Sequence, residues 1–400
     1  MKILMLGWEL PPHNSGGLGV ACYQLCKALA KRNIDIDFVL PYSPSTKPDF
    51  MNIVGTSPMD GKLALSIGSA YDSRNYFGAN THDFGSLFEQ QMTYEDKVLK
   101  LIELGNYDVI HAHDWLTFRA ALKAKQQKNI PLIAHVHSIE SDRAGGNYGN
   151  PLVREIEELT FHLADCVVAV SQKTKDAICH DYGIPPDKVK VIHNSLDHEE
   201  LDCLDDTNIY TYLDLLKKKG HKIVVSVGRL TIQKGLTNLI SAMPTVIEKC
   251  PGTILLIVGS GEQYNDLIKV AADCGVLKNV IFTGFQRGKS WRDAFGIGDV
   301  FVMPSVSEPF GLTPLEAANY NLPSVISRQS GVTEVFQNCL KVDFWDVKEM
   351  ANKILGIITN PSVKDEMAKN AMAELGSINW DKSAQKICEL YDSKGTLVTA

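Results

Sequence analysis

The chain has 400 residues, of which 44% are hydrophobic, and a net charge of −7, so two domains with ordinary packed cores are expected. A net negative charge gives no indication of nucleic-acid binding, which a basic surface would mark. No apolar run reaches the roughly 18 to 20 residues of a membrane span. The opening run MKILMLGW is too short for a signal-peptide core, so a cytoplasmic protein without an integral membrane segment is expected.

The cysteines and one basic cluster carry little functional information. Nine cysteines without CxxC spacing are typical of reduced thiols. Cys22 and Cys26, four residues apart on a predicted helix, are interpreted as small core residues rather than a redox pair. The basic residues between Arg119 and Lys128 are typical of a solvated helix face, the alternative being contact with anionic lipid.

Short runs rich in valine and isoleucine alternate with segments of helical period along the whole chain, as βαβ repetition and a parallel sheet require. The first half contains KILMLGW, IDIDFVLP, YDVIHAHD, PLIAHVH, CVVAVS and VKVIHN, and the second half contains KIVVSVG, TILLIVG, NVIFTGF, DVFVMPS and LPSVIS. Each half therefore has enough strands for its own doubly wound sheet.

The two halves begin alike, with KILMLG at 2–7 and KIVVSVG at 222–228. A charged stretch without a strong strand lies between them, so we predict domains at 1–200 and 201–378. Residues 379–394 form a predicted helix that is expected to pack back onto the first domain. Because ligands of doubly wound sheets bind beyond the carboxyl ends of the strands, the polar residues at those ends are the candidates for function.

The first strand runs into a glycine-rich loop, WELPPHNSGGLGV. Gly16, Gly17 and Gly19 would let backbone amides approach an anion at the start of the next helix, which suggests a phosphate cradle. A dinucleotide fingerprint is one alternative, but its third small position is Cys22, and the acids Asp35 and Asp37 lie at the start of the second strand, whereas a ribose-binding carboxylate belongs at its far end. A tight turn that needs glycine is the other alternative.

Histidine pairs end two predicted strands, His111 and His113 in HAHDW and His135 and His137 in HVHS. The two-residue period of a strand places each pair on one face. With Asp114 they could bind a metal, since neutral imidazole is a common ligand. Alternatively they are buried and bonded to backbone carbonyls, which we predict for His111 and His135. His137 and Asp114, nearest the carboxyl ends, are the candidates for contact with a polar substrate.

The segment GRLTIQKG places two cations, Arg229 and Lys234, in a loop after a strand, between Gly228 and Gly235. Two fixed cations at such a position can neutralise the charge that develops on a departing diphosphate, a task otherwise given to a metal ion. The alternative to diphosphate binding is that one of these two residues forms a surface salt bridge.

Two glutamates flank a Phe-Gly step in SEPFGLTPLE. In TPLE, Thr313 would be the helix N-cap and Glu316 the third helical residue, which fits a capping box. Glu308 lies outside the helix and has no such role, so we predict that its carboxylate accepts hydrogen bonds from sugar hydroxyls.

The residues between the glutamates, Phe310, Gly311 and Leu312, carry amides that are expected to point toward an anion docked at the helix end.

Together GGLG, HAHDW, HVHS, GRLTIQKG and the E-x7-E spacing of SEPFGLTPLE resemble the retaining glycosyltransferases of the GT-B fold, family 4, with details similar to glycogen and starch synthases. The resemblance runs from Met1 through Trp380. It implies two Rossmann-like doubly wound α/β domains facing across a cleft, the first on the acceptor side and the second binding a nucleotide-diphosphate sugar. It also implies retaining transfer of a hexose, expected to be glucose, to a glucan or other glycan, with no metal or other cofactor.

The resemblance further implies roles for the matching residues of the second domain and for one histidine. Arg229 and Lys234 would hold the diphosphate, Glu308 the hydroxyls of the donor sugar, and Glu316 the nucleotide ribose. His137 would contact the donor sugar near the reacting carbon.

Further positions would border the donor. Gly17 would approach the diphosphate from the first domain, and Asp114 would lie near the donor or the acceptor. The segments at Gly259 and at Gly284 and Phe285 would border the nucleotide base.

Two departures from the glycogen synthase pattern leave the acceptor open. Asn14 stands where those enzymes carry a lysine in K-x-G-G-L, and Leu116 follows HAHDW where histidine is usual. A transferase acting on a small or lipid-linked acceptor is therefore an alternative. From other classes, the alternatives are a non-catalytic glycan-binding protein and a metallohydrolase built on the four histidines.

Overall fold

The computed structural model describes residues 1–14, 16–57, 81–197, 201, 203–205 and 207–395, without the side chains of 81–86 and 395. The chain divides into two compact units, Met1–Ser195 together with the segment from Trp380, and Leu196–Asn379. Among the described residues, no helix combines the length and the apolar composition that a membrane crossing requires.

The first unit is built on a parallel sheet of seven strands in the order β3-β2-β1-β4-β5-β6-β7. The strands are β1 Lys2–Leu6, β2 Asp35–Leu40, β3 Asn52–Gly55, β4 Val109–His113, β5 Leu132–Val136, β6 Cys166–Ala169 and β7 Val189–Val191. Its helices are α1 Gly17–Ala30, α2 Thr81–Leu104, α3 Trp115–Lys128, α4 Glu140–Arg143, α5 Pro151–Leu163 and α6 Gln172–Tyr182.

The second unit is built on a parallel sheet of six strands in the order β10-β9-β8-β11-β12-β13. The strands are β8 Ile223–Val227, β9 Ile254–Val258, β10 Val280–Phe282, β11 Val300–Met303, β12 Ser324–Ser327 and β13 Leu340–Val342. The helices are α7 Thr211–Lys218, α8 Leu236–Lys249, α9 Tyr264–Asp273, α10 Gly288–Gly296, α11 Thr313–Asn319, α12 Val347–Ile358 and α13 Pro361–Leu375. The prediction of two doubly wound α/β units is confirmed, with β3 and β13 as additional strands.

The last helix, α14 Trp380–Gly395, belongs to the first unit. Its apolar residues Trp380, Ala384, Ile387 and Tyr391 recur at helical spacing and are buried in the core beneath α1. Tyr391 thereby reaches the sheet of the first unit, at strand β4.

The strands of the first sheet are buried on both faces, as parallel strands are when helices cover the two sides. Leu4 and Leu6 of β1 point into one core cluster, whereas Ile3 and Met5 point into the other, beneath α1 and α14. The histidines of β4 lie on the Met5 face, because each strand alternates its side chains and β1 pairs with β4. This register determines what surrounds the histidines.

Both sheets reverse their strand order at one point, between β1 and β4 in the first unit and between β8 and β11 in the second. Loops on either side of such a reversal diverge and leave room for a ligand at the carboxyl ends of the strands. The glycine-rich loop, the Arg229 and Lys234 loop, and the Glu308 loop follow three of these four strands, and the histidines lie in the last residues of β4 and β5 or directly after β5.

Candidate active site

The glycine-rich loop of the first unit leads into α1, whose N-cap is Gly16. A Cβ at Gly16 would meet open space, whereas a Cβ at Gly19 would lie 2.8 Å from Cβ of Asn14 and 3.1 Å from the carbonyl oxygen of Glu9. The Gly19 amide donates to Oε1 of the buried Glu9 at 3.1 Å. Gly19 thus provides close packing and a bonded amide instead of the open amide that was predicted. Sequence reasoning missed Glu9.

The four histidines of the first unit are brought together by the pairing of β4 with β5, which places His113 opposite His135. Nε2 of His111 lies 3.0 Å from Nδ1 of His135, and Nδ1 of His113 lies 2.9 Å from Nε2 of His137. The rings of His135 and His137 stack with centroids 4.4 Å apart. The histidines therefore form two cross-strand hydrogen-bonded pairs.

The prediction that His111 and His135 bond to backbone carbonyls is wrong. They bond to one another, and Nδ1 of His111 lies 2.6 Å from the hydroxyl of Tyr391 in α14. Nε2 of His135 and Nδ1 of His137 are buried and have no hydrogen-bond partner among the described residues. Two ring nitrogens of the cluster are thus left for a ligand.

Burial keeps these imidazoles uncharged. It lowers the pKa of His137 to about 3, and it lowers the pKa of His111, His113 and His135 well below the ordinary histidine value. A base this weak cannot hold a proton at neutral pH, so His137 is suited to orienting a substrate and not to deprotonating one.

Neutral imidazole is also the form that binds metals, and two groups of three side chains have ligand atoms within 4.8 Å of one another. One group is Cys22, His113 and His137, and the other is His111, His113 and His135. The expectation of no metal therefore stays a prediction that a metal analysis has to test.

Asp114 holds the backbone after β5. It is 2% exposed, its φ is 59°, and its Oδ1 accepts hydrogen bonds from the amides of His137 at 2.7 Å and Ser138 at 3.4 Å. Burial raises the pKa of this carboxyl to about 7. The predicted contact of Asp114 with a substrate stays a prediction, and the structure shows that its carboxylate positions the His137 backbone.

A buried ionic network that the sequence did not predict supports the same loop. Arg143 donates from Nη1 to the Ser138 carbonyl at 2.9 Å, from Nε to Glu140 at 2.9 Å and from Nη2 to Glu157 at 2.5 Å. The hydroxyl of Tyr182 also donates to Glu157. Because every buried charge has a partner, the network holds the loop in a defined conformation.

The raised pKa of Asp114 gives a prediction about pH and stability. The folded state binds the Asp114 proton more tightly than the unfolded state, so the stability from protonation is lost as the pH rises from 3.8 to about 7. The amide side chain that Asp114→Asn introduces would be neutral throughout and would still accept from the His137 amide. The melting temperature of the variant minus that of the wild type is expected to rise across this range and then level off.

Thermal melts from acid to alkaline pH measure this difference. Asp273→Asn, at an exposed position at the end of α9, is the matched control and is expected to show no such trend. A difference for Asp114→Asn that stays constant with pH would show that the Asp114 carboxyl titrates in its ordinary range.

In the second unit, Arg229 and Lys234 line a small cavity beyond β8 and β11, together with Gly228, Met303 and Ser305. The Arg229 guanidinium makes no hydrogen bond or ion pair within the described part of the chain. The Lys234 loop is held close to the β11 loop, since a Cβ at Gly235 would lie 2.2 Å from the carbonyl oxygen of Pro304. One cation of the predicted pair is therefore available to an anion.

Lys234 forms an ion pair with Glu308, a partner that the sequence did not indicate when it offered a surface salt bridge as the alternative. Nζ of Lys234 lies 2.5 Å from Oε2 of Glu308, and the Ser305 hydroxyl donates to the same oxygen at 3.1 Å. Glu308 is only 7% exposed, and its Oε1 has no partner among the described residues. The carboxylate is thus fixed through one oxygen and can accept through the other.

The predicted capping box in TPLE is wrong. Helix α11 begins at Thr313 with Leu312 as N-cap, and no side chain caps it. The Thr313 hydroxyl instead donates to Sδ of Met303 at 3.5 Å. Glu316 therefore lacks the structural role that the sequence suggested, and burial raises the pKa of its carboxyl to about 7.

The loop before α11 is shaped by Gly311, whose φ is +94°. A Cβ there would lie 2.9 Å from Cε of Met303 and 3.0 Å from Cγ of Glu308, so glycine is required by both conformation and space. Within the described chain, the amides of Gly311 and Leu312 have no hydrogen-bond partner. The Phe310 carbonyl accepts from Val332 at 2.8 Å, which ties this loop to the one after β12.

Three further glycines, Gly228, Gly259 and Gly284, lie where β8, β9 and β10 end. A Cβ at Gly259 would lie 1.8 Å from the carbonyl oxygen of Gly228, and the Gly259 amide donates to Gly284 at 2.9 Å. Close backbone approach therefore explains Gly259, whereas at Gly284 the positive φ of 73° favours glycine and a Cβ would meet nothing within 4 Å. Phe285, next to this crossing, is 52% exposed, with the Arg287 guanidinium 4.9 Å from its ring centroid.

The chain matches the family Glycosyltransferase Family 4 over residues 15–200 and the family Glycosyl transferases group 1 over residues 214–374. Together these matches cover most of both units. The chain is a GT-B glycosyltransferase of family 4. It is therefore an enzyme, and this assignment favours transfer over a metallohydrolase or a non-catalytic glycan-binding protein.

Individual relatives of this glycosyltransferase match along nearly its whole length. An uncharacterized glycosyltransferase of Methanocaldococcus jannaschii is 29% identical, covering 98% of both chains. A glycogen synthase of Mycobacterium tuberculosis is 29% identical over 98% of this chain and 94% of its own. Among solved structures, sucrose-phosphate synthase from Thermosynechococcus elongatus has a TM-score of 0.76 at 19% identity, covering 100% of both chains, which supports the fold.

Proposed function

We propose that this glycosyltransferase moves glucose from a nucleotide-diphosphate sugar to a glucan or related glycan, with retention of anomeric configuration and without a metal. The observation that carries the proposal is that Arg229 and Lys234 line the cavity beyond β8 and β11, where Lys234 is paired with the carboxylate of Glu308. Two cations beside one anchored carboxylate suit a substrate that joins an anionic diphosphate to a polyhydroxylated sugar.

The ion pair suggests how the donor would be held. A diphosphate beside Arg229 would attract Lys234 as well, and the two cations would stabilise the charge on the leaving group. Oε1 of Glu308, which has no partner among the described residues, would accept from sugar hydroxyls. Glu316, which does not cap the helix, would bind the nucleotide ribose. The amides of Gly311 and Leu312, which have no partner within the described chain, would donate to a phosphate oxygen.

Glucan as the acceptor rests on the similarity to a glycogen synthase over 94% of that enzyme. A second candidate, transfer to a small or lipid-linked acceptor, is favoured by one local contact. Asn14, where glycogen synthases carry lysine, donates to the Gly16 carbonyl at 2.9 Å and so closes the loop without offering a cation.

A donor and acceptor screen tests the proposal. We expect one of ADP-, UDP- or GDP-glucose to raise the melting temperature of the full chain, because a ligand at about 100 times its Kd stabilises the folded state by about 2.7 kcal/mol. Free nucleotide should then be released with glycogen or maltooligosaccharides, equally with and without EDTA. Glucose 1-phosphate is the control ligand, and the anomeric configuration of the product is read by NMR.

The outcomes separate the candidates. Nucleotide release with small acceptors but not with glucans would support the second candidate. Loss of activity in EDTA that is restored by zinc would contradict metal independence. If no nucleotide sugar changes the melting temperature or releases nucleotide, the proposed function is wrong.

A further inference from the structure

A methionine of β1 contacts the histidine pair that ends β4 and β5. Sδ of Met5 lies 3.1 Å from Nε2 of His113, and both side chains are buried. A thioether sulfur carries no hydrogen and can only accept. If Nε2 of His113 carried no proton, two lone pairs would face each other at this distance. The contact therefore requires the proton of His113 to be on Nε2.

This proton position determines the next one. A neutral imidazole has a single N–H, so Nδ1 of His113 is then a bare acceptor. Nε2 of His137, 2.9 Å away, must donate to it. Because His137 is also neutral, its own Nδ1 is left without a proton. Burial, which keeps the pKa of both histidines well below the ordinary value, supports this assignment.

We propose that Met5 and His113 fix the tautomer of His137, so that Nδ1 of His137 is a permanent acceptor for a substrate hydroxyl group. Met5 and His113 are thus positioning residues. Nδ1 of His137 is buried and has no partner among the described residues, while the His137 backbone is held by Asp114. Both the ring and the backbone are therefore fixed before a ligand arrives.

The inference deepens the proposed function, because it rests on His137 contacting the donor sugar. A bare nitrogen accepts from an O–H group but repels a carbonyl or phosphate oxygen, so it selects a hydroxyl. A donor sugar that lacks this hydroxyl would leave the nitrogen buried and unbonded, which a polar site rejects strongly. The tautomer is in this way a determinant of donor specificity.

A metal ion bound by the histidines would compete with the proposed hydrogen-bonding role of His137. Cys22 lies near the same two histidines, and ligand atoms of the three side chains are within 4.8 Å of one another. A metal bound there would occupy a nitrogen of His137 and remove the free acceptor. The test therefore includes a metal analysis of the purified protein.

NMR of the full chain labelled with ¹⁵N-histidine tests the tautomers directly, with signals assigned by their loss in His113→Gln and His137→Gln. We expect both histidines to carry the proton on Nε2. In Met5→Leu the sulfur acceptor is removed at nearly constant volume, so we expect the His113 and His137 signals to shift toward mixed tautomers. Met243→Leu, at another fully buried methionine, in α8, is the matched control and should leave the signals unchanged.

We expect Met5→Leu to lower kcat/KM for the donor about three- to tenfold, the effect of one lost neutral hydrogen bond, with a melting temperature close to that of Met243→Leu. A wild-type signal with the proton on Nδ1 of His137, stoichiometric metal, or a Met5→Leu variant with unchanged tautomers or unchanged kcat/KM would each overturn the inference. The NMR measurement needs no substrate. If the donor screen fails, the spectra therefore still show whether Met5 and His113 fix the tautomer of His137.

Discussion

Replacing Lys234 with alanine is expected to lower turnover by about 100- to 1,000-fold, the usual effect of removing one well-placed group that stabilises charge in a transition state. The ammonium of Lys234 lies beside the cavity that also contains Arg229, and no other cation lines that cavity within the described chain. The loss should appear mainly in kcat, because the charge on a leaving diphosphate grows as the glycosidic bond breaks.

Steady-state rates and thermal melts of the same preparation measure this effect. Lys234→Ala leaves the Glu308 carboxylate, which is 7% exposed, with the Ser305 hydroxyl as its remaining partner, so a lower melting temperature is expected and the rates are compared on protein that the melts show to be folded. Lys278→Ala, at an exposed residue of the second unit, is the control. Wild-type turnover in a folded Lys234→Ala variant would contradict the leaving-group role.

Replacing Glu308 with glutamine is expected to lower kcat/KM for the nucleotide sugar by about 10- to 100-fold. Glutamine preserves the shape of the side chain but removes the charge that strengthens hydrogen bonds from sugar hydroxyls. The same change releases Lys234 from its ion pair. Binding of the free nucleoside diphosphate should therefore be unchanged or tighter, although transfer is slower.

Isothermal titration with the nucleoside diphosphate, alongside donor kinetics, separates these two effects. Glu248→Gln, at an exposed position near the end of α8, is the matched control. Equal losses of sugar-nucleotide turnover and of nucleoside-diphosphate binding would show that Glu308 acts by organising the cavity and not by contacting the sugar.

The strands that the sequence identified are those with long apolar runs, because burial on both faces of a parallel sheet requires such runs. The two strands it missed, β3 and β13, have four and three residues. Length alone does not explain the omission, because β7 and β10 also have three residues each and were predicted. The addition of β3 and β13 extends each sheet at an edge and leaves the positions of the functional loops unchanged.

The capping box failed for a different reason. TPLE satisfies the residue pattern, but an N-cap residue precedes the first helical residue, and Thr313 is already the first residue of the helix. Leu312 is the N-cap instead, and Gly311 before it, at φ +94°, packs closely against Met303 and Glu308. Local sequence could not reveal this packing.

The sequence by itself determined the fold class, the family and the strand ends at which the functional side chains lie, because periodicity and motif spacing are local properties of the chain. Only the tertiary structure decided the partners of those side chains. Lys234 meets Glu308 across 74 positions, and Met5 meets His113 across 108. Such contacts depend on strand order and register, which bring distant segments side by side and leave no trace in the spacing of either segment.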